Sequence, residues 1–238
     1  MGGEMRLAML ERIFKRINYH GMSSLLITNG YFLTPSVAAR LAQAKLSAVS
    51  IGQDSLSGVE GYKVKGWKAV EAALREGLRV TLIMAISREN YVEIPAIYRF
   101  AASRGLGLIL QPSFIPKKHP RFEELSLEAM NTTSQQRILD AIIQWADGFG
   151  LVDYQAYLKA IFNRPGGRRP TRCEMGTTAG VVDADGSFYP CFHRRDLKVG
   201  NIKTESLRSL VARCEAISSE IRNAPCWGIH CVSLFAGS

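Results

Sequence analysis

No cysteine precedes residue 173 in this 238-residue chain, and only five follow: Cys173, Cys191, Cys214, Cys226 and Cys231. No apolar run is long enough for a membrane-spanning helix, so no transmembrane span is expected. The N-terminal stretch "MGGEMRLAMLERIFKR" is broken by acidic residues and has no continuous apolar core, so it is not a secretory signal. A cytoplasmic protein is expected, and in that setting clustered thiols bind metal more often than they form disulfides. Acidic residues are in deficit, 21 against 30 basic ones, which leaves a net charge of +9. Such an excess suits nucleic acid. Yet no RNA-binding signature or helix-turn-helix pattern is present, and the basic residues are dispersed apart from "RPGGRRPTR" (164–172) and "HRR" (193–195). A basic solvated surface is the expected reading, not a nucleic-acid partner. Internal repeats and low-complexity tracts are also missing.

What is there is a chain of ordinary globular composition, 47% apolar and 21% charged, with enough length to bury a core in one domain or two. Its first half alternates helix and strand. Leu7, Leu10, Ile13, Phe14 and Ile17 recur at helical spacing and predict a helix over 5–20. "SSLLITNG" reads as a buried strand ending in a turn, and Pro35 opens a helix over 35–45. "LSAVSIG" is a second strand, followed by a helix over 66–76 that Gly77 closes. "RVTLIMAIS" is a third strand, 91–103 a helix stopped by Gly105, and "LGLILQPSF" a fourth strand. Strands that are apolar throughout, alternating with amphipathic helices, specify a parallel sheet covered by helices. The fold class is α/β, either a β/α barrel or a doubly wound sheet. The helix at residue 5 has no strand ahead of it.

Past Pro116 the character changes. "PKKHPRFEE" reads as a charged connector, and Ser126 with Met130, Ile138, Leu139, Ile142 and Trp145 predicts a capped helix over 126–147. A further helix is expected over 151–163, and the Pro/Gly-rich "NRPGGRRPT" reads as a linker. Beyond it, "AGVV" and "SFYPC" flank the turn "DADG" as a β-hairpin. The loop "LKVGNI", a helix over 204–222 and the tail "PCWGIHC" complete the chain.

Cys214 falls on the stripe Leu207, Leu210, Val211, Ile217 and Ile221, where a buried, inert thiol is expected. The other four cysteines bracket the hairpin and sit in the tail. Thiolates converging from a hairpin and a short loop can hold a tetrahedral zinc or a [4Fe–4S] cluster, and composition does not choose between them. His193 and His230 lie beside ligand positions and could substitute in a zinc site. At the other end of the chain, "GGE" at 2–4 offers glycines for close backbone approach and a carboxylate for an ammonium group. Thr28 and Asn29 in "TNG", and Ser50 and Asp54 in "VSIGQDS", are placed at successive strand ends, the active face of a β/α barrel. Each motif alone is an ordinary turn; their order is not.

That order resembles the radical S-adenosylmethionine (SAM) enzymes. The run from Cys173 through Gly186 to Cys191, then "VGNI" and a late cysteine pair, is similar to their C-terminal auxiliary-cluster domain, called SPASM or, when shortened, twitch. The resemblance implies a partial (β/α) barrel over 1–115, a helical connector and linker over 116–170, and a small β-hairpin/helix cluster-binding domain over 171–238. It implies that Gly2, Gly3 and Glu4 help hold the SAM ammonium, that Thr28 and Asn29 line the same site, and that Ser50 contacts the SAM carboxylate or ribose. Cys173, Cys191, Cys226 and Cys231 would carry an auxiliary [4Fe–4S] cluster. The parent activity implied is modification of a peptide or protein by a 5′-deoxyadenosyl radical, with an electron donor such as flavodoxin or ferredoxin and no membrane partner.

Three features depart from the family pattern. No Cys-x3-Cys-x2-Cys loop for the SAM-cleaving cluster occurs, and the family places that loop upstream of GGE. The resemblance therefore implies that Met1 is an internal methionine or a miscalled start, that the first barrel strands are missing, and that the chain as given cannot cleave SAM. In the late pair, Ile229 stands at the usual Cys-x2-Cys spacing from Cys226 and the next thiol is Cys231; likewise Gly52 replaces the aspartate that commonly follows the strand serine, with Asp54 displaced. A reading from another class is a non-catalytic, zinc-stabilised binding module that uses the basic 164–172 segment.

Overall fold

A computed structural model describes residues 2–55, 62–113, 115, 117–148, 175–177, 179–191 and 194–223. The chain divides into two compact units, Met1–Asn131 and Thr132–Ser238. The helix expected over 151–163 and the linker at 164–172 lie outside the described residues.

The first unit is built from α1 (Gly2–Tyr19), β1 (Leu25–Thr28), α2 (Pro35–Gln43), β2 (Ala48–Gly52), α3 (Tyr62–Arg75), β3 (Arg79–Ile86), α4 (Ile94–Ser103), β4 (Gly107–Pro112) and the short α5 (Phe122–Leu125). Its four strands form a parallel sheet in the order β1-β2-β3-β4. This is the alternating α/β arrangement that the apolar strands and amphipathic helices specify. Val49 and Ile51 of β2 and Leu82, Met84 and Ile86 of β3 are fully buried, as are Ala38, Ala69, Ala73 and Ile97 on α2, α3 and α4. Small residues on the helices let them lie close to the sheet, and Trp67 of α3 meets Phe100 of α4 with ring centroids 4.0 Å apart. The opposite face carries Leu25 and Ile27 at the β1 edge, both largely exposed, then Ala48, Ser50, Thr81, Ile83 and Gly107.

Local chemistry sets the helix ends. Thr34 caps α2 by accepting from the Val37 amide, with Pro35 in the first turn. Gly77 and Gly105 take the left-handed conformation after α3 and α4 (φ +71° and +64°), where the next residue's amide returns to the helix. Three helix starts differ from expectation. The helix expected from 5 starts at Gly2, the one expected from 66 starts at Tyr62, and the one expected from 91 begins with a 3-10 turn over Tyr91–Glu93 before Ile94.

The second unit contains α6 (Thr132–Gly148), β5 (Val181–Val182), β6 (Ser187–Tyr189), β7 (Gly200–Asn201), α7 (Leu207–Ala216) and α8 (Ser218–Asn223). The expected helix over 126–147 is corrected here. Ser126 ends α5 rather than capping a long helix, Leu127–Ala129 is a 3-10 turn, and α6 begins at Thr132 behind Asn131, a favoured N-cap type. The hairpin forms as expected, with Val181 opposite Tyr189 and Val182 opposite Phe188. The "LKVGNI" segment is not wholly loop, because Gly200 and Asn201 pair with Phe188 and Ser187 as a third antiparallel strand. The helix expected over 204–222 begins at Leu207, capped by Ser206 through the Ser209 amide, and is interrupted at Ile217. Among the described residues no helix is long and apolar enough to cross a membrane.

Candidate cofactor sites

The C-terminal ends of β2 and β3 carry a polar rim. Past Gly52 the ladder continues for one bond, Gln53 N–H donating to the Ile83 carbonyl at 2.8 Å. The next β3 donor, the Ala85 amide, has no strand residue to meet, and the Asp54 carboxylate accepts it at 2.8 Å. Asn90 then ties the two strand ends together. Its amide nitrogen donates to the carbonyls of Asp54 (2.9 Å) and Ala85 (2.8 Å), while its side-chain oxygen accepts from the Ser87 amide at 2.7 Å. Ser55, buried, donates its hydroxyl to the Glu93 carboxylate, and Gln53, also buried, donates to the Ser55 carbonyl at 2.6 Å. Gly66 in α3 makes room for Gln53, since a Cβ there would fall 2.2 Å from its side-chain oxygen.

This rim holds one of the residues picked out by the sequence, Asp54, and four that were not: Gln53, Ser55, Asn90 and Glu93. Asn90 carried the same signal as "TNG", a polar residue in the turn that follows an apolar strand.

The other expected SAM-site residues are distributed differently. Gly2, Gly3 and Glu4 form the first turn of α1. Thr28 ends β1 and accepts the Gly30 amide at 3.1 Å, and Asn29 accepts the Tyr31 amide at 3.0 Å, so both side chains close their own turn. Gly30 there is left-handed (φ +75°), and a Cβ on it would approach the Ala69 Cβ to 2.7 Å. Ser50 is not at a strand end. It is the third residue of β2, almost fully buried, and in register with Ile27 and Thr81. Thr28 is in register with Ile51, so the period of two places Thr28 and Ser50 on opposite faces of the sheet.

In the second unit the hairpin turn is held by short polar contacts. Gly186 takes φ +89°, and a Cβ on it would meet the Asn201 side-chain oxygen at 2.7 Å. The Asp185 carboxylate accepts from the Ser187 amide and hydroxyl, both at 2.8 Å, and the amide bond first, then the hydroxyl, hold its pKa below the ordinary range. Cys191 follows β6 and is buried. Cys173, Cys226 and Cys231 lie outside the described residues. Cys214 packs with Phe188 and Leu210 in a small apolar cluster, and burial raises its pKa, which keeps it a protonated and unreactive thiol as expected.

Three residues beyond Cys191, Arg194 forms an ion pair with Asp196 through Nε (2.9 Å) and Nη2 (2.7 Å). Its Nη1 is buried with no hydrogen-bond partner among the described residues. A buried thiol followed three residues later by a buried cationic donor without an acceptor fits an anionic thiolate-bound cluster.

Residues 173–231 match SPASM, an iron–sulfur cluster-binding domain, and the match begins and ends on cysteines. Among solved structures, anSMEcpe with bound AdoMet shares 18% identity at a TM-score of 0.58, over 82% of this chain and 59% of that one. The same protein with bound AdoMet and Kp18Cys peptide gives 18% and 0.59, over 96% of this chain and 70% of that one. SuiB of Streptococcus suis gives 12% and 0.58, over 83% and 50%. No curated protein matches the chain. Residues 173–231 therefore form a SPASM-type segment, and the chain shares the fold of these solved structures. It spans 59% of the AdoMet-bound anSMEcpe chain.

Proposed function

We propose that this chain serves radical SAM modification of a peptide, and that its own contribution is an auxiliary [4Fe–4S] site held by Cys173, Cys191, Cys226 and Cys231. The observation that carries the reading is the SPASM match over residues 173–231, which contains all four candidate ligands, the buried Cys191 among them. A cluster bound there would supply a redox centre or a substrate-binding iron. The hairpin fixes one ligand: the β5–β6 pairing and the left-handed Gly186 set where the chain leaves β6 and hence where Cys191 stands. The bound peptide in the anSMEcpe structure supports a peptide substrate, and a flavodoxin- or ferredoxin-type donor would supply electrons.

The rim at the ends of β2 and β3 is the surface we assign to SAM and peptide, with Asp54 and Asn90 shaping it. Gly2, Gly3, Glu4, Thr28, Asn29 and Ser50 remain part of the proposal as backbone or side-chain contacts to SAM. The register counts against a single contact surface shared by the side chains of Thr28 and Ser50. Because the sequence has no Cys-x3-Cys-x2-Cys, the 238-residue chain contributes only hydrogen bonds to SAM, each worth about 0.5–1.5 kcal/mol net. Immobilising the ligand costs several kcal/mol at least, so roughly millimolar binding or none is expected by calorimetry.

Anaerobic reconstitution with iron and sulfide, set against loading with zinc, tests the reading. Iron and acid-labile sulfide uptake with broad visible absorbance supports it. Stoichiometric zinc with no iron uptake replaces it with the zinc-stabilised binding module.

A further inference from the structure

Arg194 carries an unexplained feature. A guanidinium has five N–H donors and no way to lose its charge, so a buried nitrogen without an acceptor costs more than an ordinary orphaned donor. Asp196 does not account for it. That carboxylate binds only the Nε and Nη2 side of the fork and is 61% exposed, whereas the Arg194 side chain is 17% exposed. The charge is thus held inward of its partner, and Nη1 is the buried end. Cys191, itself buried, lies three residues before Arg194 in the sequence. Iron–sulfur potentials respond to nearby charge and to hydrogen bonds on the cluster's sulfurs.

We infer that Arg194 is the cationic positioning partner of the auxiliary cluster, its Nη1 donating to a sulfur of that site and raising its reduction potential. The inference rests on the reading of Cys191 as a ligand. A fixed positive charge stabilises the one-electron-reduced cluster, which carries one more negative charge than the oxidised one. Asp196 partly cancels that charge and also anchors the guanidinium.

The test uses the full chain, reconstituted anaerobically, as wild type and as Arg194→Gln, Arg194→Lys and Asp196→Asn. Iron and sulfide content are measured first, then the midpoint potential by EPR-monitored titration, with dithionite as the one-electron reductant. Arg194→Gln should load as wild type while its reduction equilibrium falls about tenfold, ~59 mV for one electron. Arg194→Lys should stay close to wild type, and Asp196→Asn should shift the opposite way from Arg194→Gln. A loaded Arg194→Gln chain with the wild-type potential overturns the inference. So does an Asp196→Asn shift in the same direction as Arg194→Gln, which would make the pair a structural strut. Should Arg194→Gln fail to load, the Asp196→Asn sign decides alone: upward supports, unchanged or downward overturns. A wild-type chain that takes up no iron overturns the ligand reading and this inference with it, whereas a loaded chain with an unmoved potential overturns only the inference.

Discussion

The two units are stabilised by different means. In the N-terminal sheet, β3 runs for eight residues, and its alternate side chains from Val80 to Ile86 are buried under helices. The C-terminal hairpin has strands of two or three residues, and its apolar cluster among the described residues is Phe188, Leu210 and Cys214, flanked by Val199 and Val211. Around that cluster the work passes to turns and polar contacts: Asp185 on Ser187, Asn201 on the Asp185 carbonyl, and the Arg213–Glu205 ion pair. Hydrophobic burial alone can hold the first. A cluster bound beside the hairpin, as proposed, would add its binding free energy to the folding of that region.

The largest expected effect follows directly. Stripping iron from the reconstituted protein with a chelator should abolish amide-exchange protection across β5, β6 and β7 while leaving β2 and β3 protected. Equal loss in both units would erase the contrast. Next in size is a cavity in the sheet: Met84→Ala should cost about 2–5 kcal/mol of stability in denaturant melts, with iron content unchanged. Asn90→Ala should come third. It leaves the Ser87 amide and the Ala85 carbonyl without their partner, at about 1–3 kcal/mol, and faster exchange confined to residues 85–90 would locate the damage.

The smallest effect is acidic. Asp185 has a lowered pKa in the folded state, so its contribution is present above the ordinary aspartate value of about 3.9 and is lost as the pH falls towards the lowered one. Melting of the hairpin unit should therefore become more sensitive between about pH 4 and the folded pKa than in Asp185→Asn. Identical pH profiles would remove Asp185 from the account.

Much of this was legible in the residues. Apolar strand runs and helical stripes located all four sheet strands, and the Cys214 stripe identified the buried thiol before the apolar cluster around it was seen. Helix starts were less legible, because Ser126 is as good a cap type as Asn131 and only the chain's path through the 3-10 turn at 127–129 distinguishes them. The two-residue strand at Gly200–Asn201 has no apolar pattern at all; it exists because β6 offers it an edge. Closeness to the turn suggests a strand-end place for Ser50, whereas the register sets it in the middle of β2. The rim formed by Asn90 and Asp54 spans 36 residues of sequence, and nothing local announces a contact made by the parallel crossover. In the sequence Arg194 is one more basic residue, and only the fold buries its Nη1.

The central claim is that the C-terminal unit is a cluster-binding domain in which Cys191 is a ligand and Cys214 is core. Iron and acid-labile sulfide per chain, measured after anaerobic reconstitution of wild type, Cys191→Ala and Cys214→Ala, test it most directly. The account predicts about four iron and four sulfide in wild type and in Cys214→Ala, as for a [4Fe–4S] cluster, and loss of both in Cys191→Ala. A Cys191→Ala chain that loads as wild type does, or a loss that follows Cys214 instead, would contradict it.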